Sequence, residues 1–565
     1  MAAFRPRRFP ARLRRTFSTT KAENLDALIV GAGFAGMYQL HKLRSLGMKA
    51  QVVDTAKEVG GTWYWNRYPG ARCDIRSMDY SYTFDPQLDE DWQWSEKYAS
   101  QPEILAYAKH VADKYDLRRD IRFETRLEGA DFDGTAGRWV ARTECGDRIS
   151  AQHLIMASGS LSAPKEVDIP GVEAFEGESY WTSRWPDHPV DFKGKRVGIV
   201  GTGSSGIQSI PVIAEQCDHL TVFQRTPAYV LPAFNGPLSK DYKDSLKARR
   251  ELLWKSQAAL PSLPLGDSAL EVSKEERDAV YERGWEAGGL EGILGAYKDL
   301  LVSPESNDTA AQFVYEKIRA TVHDPEVAEA LIPESYPFGT KRPCLGHGYY
   351  EAYNRDNVRL HDLRKDPFAR VVEDGVFTES GEHVPLDAIV YATGFDALTG
   401  AVCRVNVRGI DGVGINDKWR DGPLNYLGLT VSGFPNFYMI TGPGSPSVLA
   451  NMLPAIEQHV EYVADLVEHM RATGAQVVMP TEAAEKEWTE MNTAIGNMTL
   501  FPKANSWYMG ANIPGKPRMI LPFMGGFKAY IDSCDAVTAN GYKGFVFGYS
   551  GEEIEAELVA QARSS

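Results

Sequence analysis

Residues 27–36 read Ala27-Leu28-Ile29-Val30-Gly31-Ala32-Gly33-Phe34-Ala35-Gly36, a short apolar run that breaks into a glycine pattern. The run predicts a buried strand, and the stretch from Gly36 to Leu46 predicts a helix that Gly47 ends. A second strand, Ala50-Gln51-Val52-Val53, closes on Asp54, 18 residues past Gly36. This is a G-x-G-x-x-G turn in its strand–turn–helix setting, with an acid near the distance a ribose requires. The glycines let backbone approach a diphosphate, which then faces the positive end of a helix. Asp54 supplies an acceptor for the ribose hydroxyls. A chance glycine-rich turn has no reason to carry strand, helix and acid together.

The device recurs. Arg196-Val197-Gly198-Ile199-Val200 leads into Gly201-Thr202-Gly203-Ser204-Ser205-Gly206, with a helix expected from Ile207. The following strand, Leu220-Thr221-Val222-Phe223, ends not in an acid but in Gln224-Arg225-Thr226. A guanidinium there suits a 2′-phosphate, which an acid would repel, so the second site reads as NADP(H) rather than NAD(H). Two dinucleotide sites in one chain imply electron transfer between a flavin and a nicotinamide.

The fold class is therefore α/β, with two dinucleotide-binding domains. An FAD-binding domain is expected over 23–160 and 390–550, and an NADP-binding domain over 161–236 and 335–389. The charged span 237–334 reads as a helical insertion in the second domain, and 551–565 as a C-terminal tail. The run from Asp387 to Asp396 is read as the strand that returns the chain to the first domain.

Composition narrows the classes further. The chain has 565 residues and a net charge of −15, which argues against nucleic acid as a partner. No apolar run reaches the ~18 residues of a membrane span. Six scattered cysteines without C-x-x-C exclude a dithiol redox pair, a zinc ribbon and a disulfide framework, and no metal site is expected. The folded part is expected to be intracellular, and a monomer. Residues 1–22 stand apart: they hold Arg5, Arg7, Arg8, Arg12, Arg14, Arg15 and Lys21 and no acid. That is transit-peptide composition, directing the chain to a mitochondrion or other organelle. The alternative is a disordered basic tail on a cytoplasmic protein.

Two further stretches carry a resemblance. They are Gly60-Gly61-Thr62-Trp63-Tyr64-Trp65-Asn66-Arg67-Tyr68-Pro69-Gly70-Ala71-Arg72-Cys73-Asp74 and Phe175-Glu176-Gly177-Glu178-Ser179-Tyr180-Trp181-Thr182-Ser183-Arg184-Trp185. With Phe338-Gly339-Thr340-Lys341-Arg342-Pro343-Cys344 and the run from Asn505 to Lys516, they resemble type I Baeyer–Villiger monooxygenases, from Asp26 to about Gly548. The resemblance implies an FAD- and NADPH-dependent enzyme that uses O₂ to turn a ketone into an ester or lactone through a peroxyflavin. It implies Arg342 as the catalytic cation and Asp74 as its orienting acid. A guanidinium suits that task because it stays protonated beside an anionic nucleophile.

By the same resemblance, FAD is held by Gly31, Gly33, Phe34, Ala35, Gly36, Asp54, Thr62, Trp63, Tyr64, Trp65, Asp74 and Tyr80. NADP is held by Arg72, Cys73, Asp74, Thr202, Gly203, Ser204, Ser205, Gly206, Ile207, Gln208, Arg225, Thr226, Lys341, Arg342 and Trp507. Met452 falls at a substrate-pocket position, with a plain core methionine as the alternative. One position departs: Trp181 stands where the family has a histidine in the linker between domains. That departure keeps open an uncoupled, oxidase-like flavoprotein. Oxygenation of nitrogen or sulfur, which does not need Arg342, is the other alternative.

Overall fold

The computed structural model describes residues 23–256, 258–260, 265–549 and 553. The basic N-terminal segment lies outside the described residues, as does nearly all of the tail.

Six strands open the chain: β1 Glu23–Val30, β2 Ala50–Val53, β3 Ile121–Arg122, β4 Leu127–Asp133, β5 Arg138–Thr143 and β6 Arg148–Met156. Five more follow, β7 Glu178–Trp181, β8 Arg196–Val200, β9 His219–Gln224, β10 Val358–Asp362 and β11 Ala388–Tyr391, and then β12 Asn406–Arg408 and β13 Phe437–Met439. The first sheet runs β12-β4-β5-β6-β1-β2-β3, with β13 beside β6. Its centre is parallel, with Leu28 opposite both Gln51 and Leu154. Parallel strands are covered on both faces, which is why β1 reads as an unbroken apolar run rather than an alternation. Ala27, Leu28 and Ile29 are accordingly inaccessible to solvent.

The second sheet is parallel throughout, in the order β10-β9-β8-β11-β7. Here the structure corrects the sequence reading. The run after Asp387 does not return the chain to the first domain. Ala388–Tyr391 is the strand between β8 and β7, with Val390 opposite Ile199 and Tyr180. Four consecutive buried residues fit an interior strand of this sheet, and the return begins only after Tyr391.

Each glycine turn feeds a helix: α1 Phe34–Ser45 after β1, and α2 Ser204–Gln216 after β8. α2 therefore begins three residues before the expected Ile207. In both turns the third glycine brings helix onto strand, since a Cβ on Gly36 or Gly206 would strike the carbonyl oxygen of Gly31 or Gly201.

The insertion joins both domains. Its helices Lys274–Ala287 and Pro304–Thr321 pack Tyr281, Phe313 and Ile318 into the core around Ile199 and Val222. Its first part instead holds the first domain: Arg249 Nε and Tyr242 OH donate to Asp79, at 3.3 and 2.9 Å, and Asp79 is 1 % exposed. Among the described residues, no helix is long and apolar enough to cross a membrane.

Removing one partner of a buried ion pair strands the other charge. Asp79→Ala should therefore cost about 3–5 kcal/mol and lower Tm in a thermal melt. Replacing both partners with apolar residues, Asp79→Leu with Arg249→Met, should recover much of that loss.

Candidate active site

The first nucleotide loop leaves a bare helix end. α1 has Gly33 at its N-cap with no side-chain cap, so its first amides are unpartnered by side chains. Gly60 N–H donates to Ala32 O at 3.1 Å, folding the segment 60–65 over the loop. The approach requires glycine at position 61: a Cβ there, at φ +52°, would lie 2.8 Å from Gly33 Cα. The short helix Thr62–Trp65 then brings Trp63 beside Tyr80, its Nε1 donating to the phenol at 3.2 Å, and Phe34 meets Tyr80 edge-on. Tyr64 and Trp65 pack edge to face at 5.0 Å.

Asp54 stands at the end of β2, where its carboxylate accepts from Ala32 N (2.6 Å) and Ala56 N (2.7 Å). Burial raises its pKa, and the backbone donors oppose that rise. The carboxylate thus braces the loop, and its remaining lone pairs stay available to a ribose.

The second loop is more open. Nothing lies within 4 Å of where a Cβ on Gly203 would stand, so the uncapped end of α2 faces free space. Thr202 Oγ1 donates to Thr226 O at 3.0 Å, which ties the loop to the residue after Arg225. Arg225 is exposed, with no carboxylate partner among the described residues. Lys341 Nζ lies 4.4 Å from the Tyr336 ring centroid, and burial followed by Arg225 lowers its pKa. Ile207 is core. Ser205 Oγ is 3.2 Å from Thr182 Oγ1, the residue after Trp181, and the indole of Trp181 stacks on Tyr391 at 5.2 Å.

Between the loops the domains interlock. Gln208 of α2 accepts from Tyr68 OH at 2.9 Å and donates to Arg72 O at 3.0 Å. Arg72 has its guanidinium on Glu96 (2.6 Å) and on Tyr98 O (2.8 Å). Cys73 is buried, and burial pushes its thiol pKa far up, consistent with packing rather than thiol chemistry.

Next to it, Arg342 Nε and Nη2 donate to Asp74 at 2.6 and 2.9 Å, a bidentate pair spanning the two domains. Nη1 donates to Val448 O at 2.9 Å. Burial works against the guanidinium's charge, but Asp74 outweighs it and raises the pKa above the ordinary arginine value. Both side chains remain about a quarter exposed, 24 % and 23 %, so the pair is tied yet faces the space between the loops.

Trp507, Leu449 and Met452 gather against Val448 and Tyr508 in one apolar cluster on the same side. The indole N–H of Trp507 has no protein acceptor among the described residues. Several contacts were missed in the sequence, among them the Val448 carbonyl and the Cys344 Sγ–Ser204 Oγ contact at 3.2 Å, which joins the Arg342 segment to α2. Position alone, two residues past Arg342, was the available signal for Cys344. For a backbone carbonyl there was none.

An open helix end, a braced ribose acid and an aromatic wall fit FAD at the first loop. Unpaired cations beside a second open helix end fit NADP(H). A fixed cation between them defines the class, a flavin monooxygenase that uses a nicotinamide.

Comparison with known proteins places it further. The profile of the pyridine nucleotide-disulphide oxidoreductase family matches residues 25–258. The cysteine pair of a dithiol reductase has no counterpart here, because the six cysteines are scattered and none stands in a C-x-x-C. The chain is 41% identical to a Baeyer–Villiger monooxygenase of Pseudooceanicola batsensis, covering 95% of this chain and 98% of that one. It is 39% identical to a phenazine N-monooxygenase of Lysobacter antibioticus, over 93% and 97%. Among solved structures it is similar to an oxidized steroid monooxygenase bound to NADP (49% identity, TM-score 0.89, 94% of this chain and 100% of that one). It is also similar to the OTEMO complex with FAD and NADP (41%, TM-score 0.90, 94% and 100%). The chain belongs to the Baeyer–Villiger monooxygenase family, and its cofactors are FAD and NADP(H).

Asp54→Ala removes the acceptor of two loop amides and of the ribose. FAD affinity should fall by roughly ten- to a hundredfold, read as flavin absorbance per polypeptide after dialysis. Asp54→Asn, which keeps one acceptor, should lie between.

Proposed function

We propose that Arg342, oriented by Asp74, supplies the cationic clamp for oxygen insertion next to a ketone carbonyl. The observation that carries this is the bidentate pair bridging the two nucleotide-binding domains. Bound flavin, reduced by the nicotinamide, supplies the activation of O₂. The chain's own residues do the rest.

Attack on a ketone moves negative charge onto the carbonyl oxygen. The stabilising group must be positive and must not give up its proton, which a guanidinium satisfies where an ammonium or imidazolium does not. Two of the Arg342 nitrogens are committed to Asp74, and Nη1 to Val448 O, so the side chain is held in place before substrate arrives. Preorganisation of this kind spares the reorganisation cost at the moment of reaction. Met452 and Leu449, beside Trp507, offer the substrate an apolar wall, in keeping with an uncharged ketone. The exposed Arg225 and the half-buried Lys341 hold the 2′-phosphate of NADPH, and Trp507 offers its indole N–H to the same nucleotide.

The phenazine N-monooxygenase relative supports a second reading, oxygenation of a soft nitrogen or sulfur, in which Arg342 is dispensable. Arg342→Ala separates the two. On the ketone reading the variant is still reduced by NADPH under anaerobic stopped flow, while ester formation from an aryl ketone falls about a hundred- to a thousandfold. Ester at the wild-type rate would remove Arg342 from the catalytic role. An N- or S-oxide formed at full rate by both proteins, with no ester from either, would favour the second reading.

Trp181 is read as a coupling residue. It ends β7, stacks on the last residue of β11 and precedes the threonine that touches the NADP loop. Trp181→His should change the ratio of ester to hydrogen peroxide several-fold or less, with the same ketones accepted and the same bond migrating. Ester appearing only in the histidine variant would show that the wild-type protein is uncoupled.

A further inference from the structure

The two linkers between the domains cross as a short antiparallel pair. Asp396 N–H donates to Ala163 O at 2.8 Å, and Lys165 N–H to Gly394 O at 3.1 Å, with Pro164 bridged to Phe395. The second linker starts at Ala392, and the Ala392 carbonyl packs directly beneath Gly201 of the NADP loop. Lys165 is thereby fixed by its backbone at the edge of the second nucleotide site.

It forms no ion pair there among the described residues. The nearby carboxylate is Asp396, and that group is taken: Lys516 Nζ donates to Asp396 Oδ1 at 2.7 Å and to Ala397 O at 2.9 Å. Lys516 is 10 % exposed, so this pair is firmly held. Burial and then Arg225 lower the Lys165 pKa, with Asp396 opposing, and burial and then Arg225 lower that of Lys341. The linker pairing thus holds Lys165 two residues from the strand end that underlies Gly201, on the loop side of the sheet where Arg225 follows β9, and no carboxylate forms an ion pair with Lys165, Arg225 or Lys341 among the described residues. Like charges gathered without a counterion repel one another. The arrangement becomes favourable when an anion of more than one charge enters.

Resting on the reading of Arg225 and Lys341 given above, we propose that Lys165 is a third cation of the 2′-phosphate site. It comes from the domain linker rather than from the nucleotide-binding fold itself. A linker residue in that place also makes phosphate recognition sensitive to where the linker stands.

The test is calorimetric binding of 2′,5′-ADP and of 5′-AMP to the FAD-loaded protein, for wild type, Lys165→Gln, Lys165→Arg and Arg225→Ala. Lys165→Gln should weaken 2′,5′-ADP about three- to tenfold, leave 5′-AMP unchanged, and flatten the salt dependence of the former. Lys165→Arg should restore most of the affinity. Arg225→Ala should weaken 2′,5′-ADP roughly ten- to a hundredfold and spare 5′-AMP. If Arg225→Ala behaves so while Lys165→Gln binds 2′,5′-ADP like wild type, the role of Lys165 alone is overturned. Equal loss of both nucleotides in Lys165→Gln would mark a structural residue and also overturn it. Unchanged 2′,5′-ADP binding in Arg225→Ala would overturn the reading of Arg225 and Lys341 as well.

Discussion

A charge that must be held between the two domains, and kept from wandering, organises the rest of this structure. Arg342 belongs to the chain of the second domain and Asp74 to the first, 268 residues apart in sequence, yet they meet in a fork of two hydrogen bonds. Desolvation penalises the guanidinium, and Asp74 more than offsets it, with the Val448 carbonyl taking a further N–H. The fork therefore sets the spacing between the domains. Gln208, clamped on Tyr68 and on the backbone of Arg72, fixes the same spacing from the other side of α2. With both in place, the two bare helix ends face one space.

The charges around the second site show a contrast. Arg72 has Glu96, Arg249 has Asp79 and Lys516 has Asp396. Arg225 and Lys341, which have no carboxylate partner among the described residues, border the open second loop. An unneutralised cation at the carboxyl end of a parallel sheet is where a nucleotide phosphate belongs.

The sequence disclosed the parts of this protein whose chemistry is local. A glycine turn announces itself because no other residue allows the approach of Gly61 to Gly33 or of Gly206 to the first glycine's carbonyl, and both loops were read correctly as to kind and place. The start of α2 was put too late because helical periodicity becomes visible only at the apolar Ile207, although the backbone already turns at Ser204. The Ala388–Tyr391 strand was misread as the return to the first domain for a different reason. Its apolar run states that it is buried, but not between which neighbours. Long-range pairings escaped in the same way: nothing near Asp79 points to Arg249, and nothing near Asp396 points to Lys516. The family motif brought Arg342 and Asp74 together, whereas the residues alone would have left them as a basic pair and a turn cap.

The loop that carries Trp507 shows how these separate contacts act as one device. Asn512 Nδ2 donates to Phe395 O at 2.8 Å, and Lys516 reaches Asp396 and Ala397 O one and two residues further on. The loop is therefore fastened at its far end to the same linker that holds Lys165 and underlies Gly201. Its near end packs Tyr508 and Trp507 against Val448, whose carbonyl accepts from Arg342. A shift of the second domain must carry the linker, and the linker carries the loop's anchor. Hydrogen bonds to carbonyls are short-ranged and directional, so the loop cannot follow part of the way while keeping its bonds. The position of Trp507 and the position of the second nucleotide helix are thus two readings of one coordinate. The structure places Trp181 in the second sheet, at the end of β7 against Tyr391, rather than in either linker, so it borders this coordinate from the side of the second domain. A substitution at Trp181, or at Lys165 in the linker, therefore bears on chemistry at Arg342 without touching it.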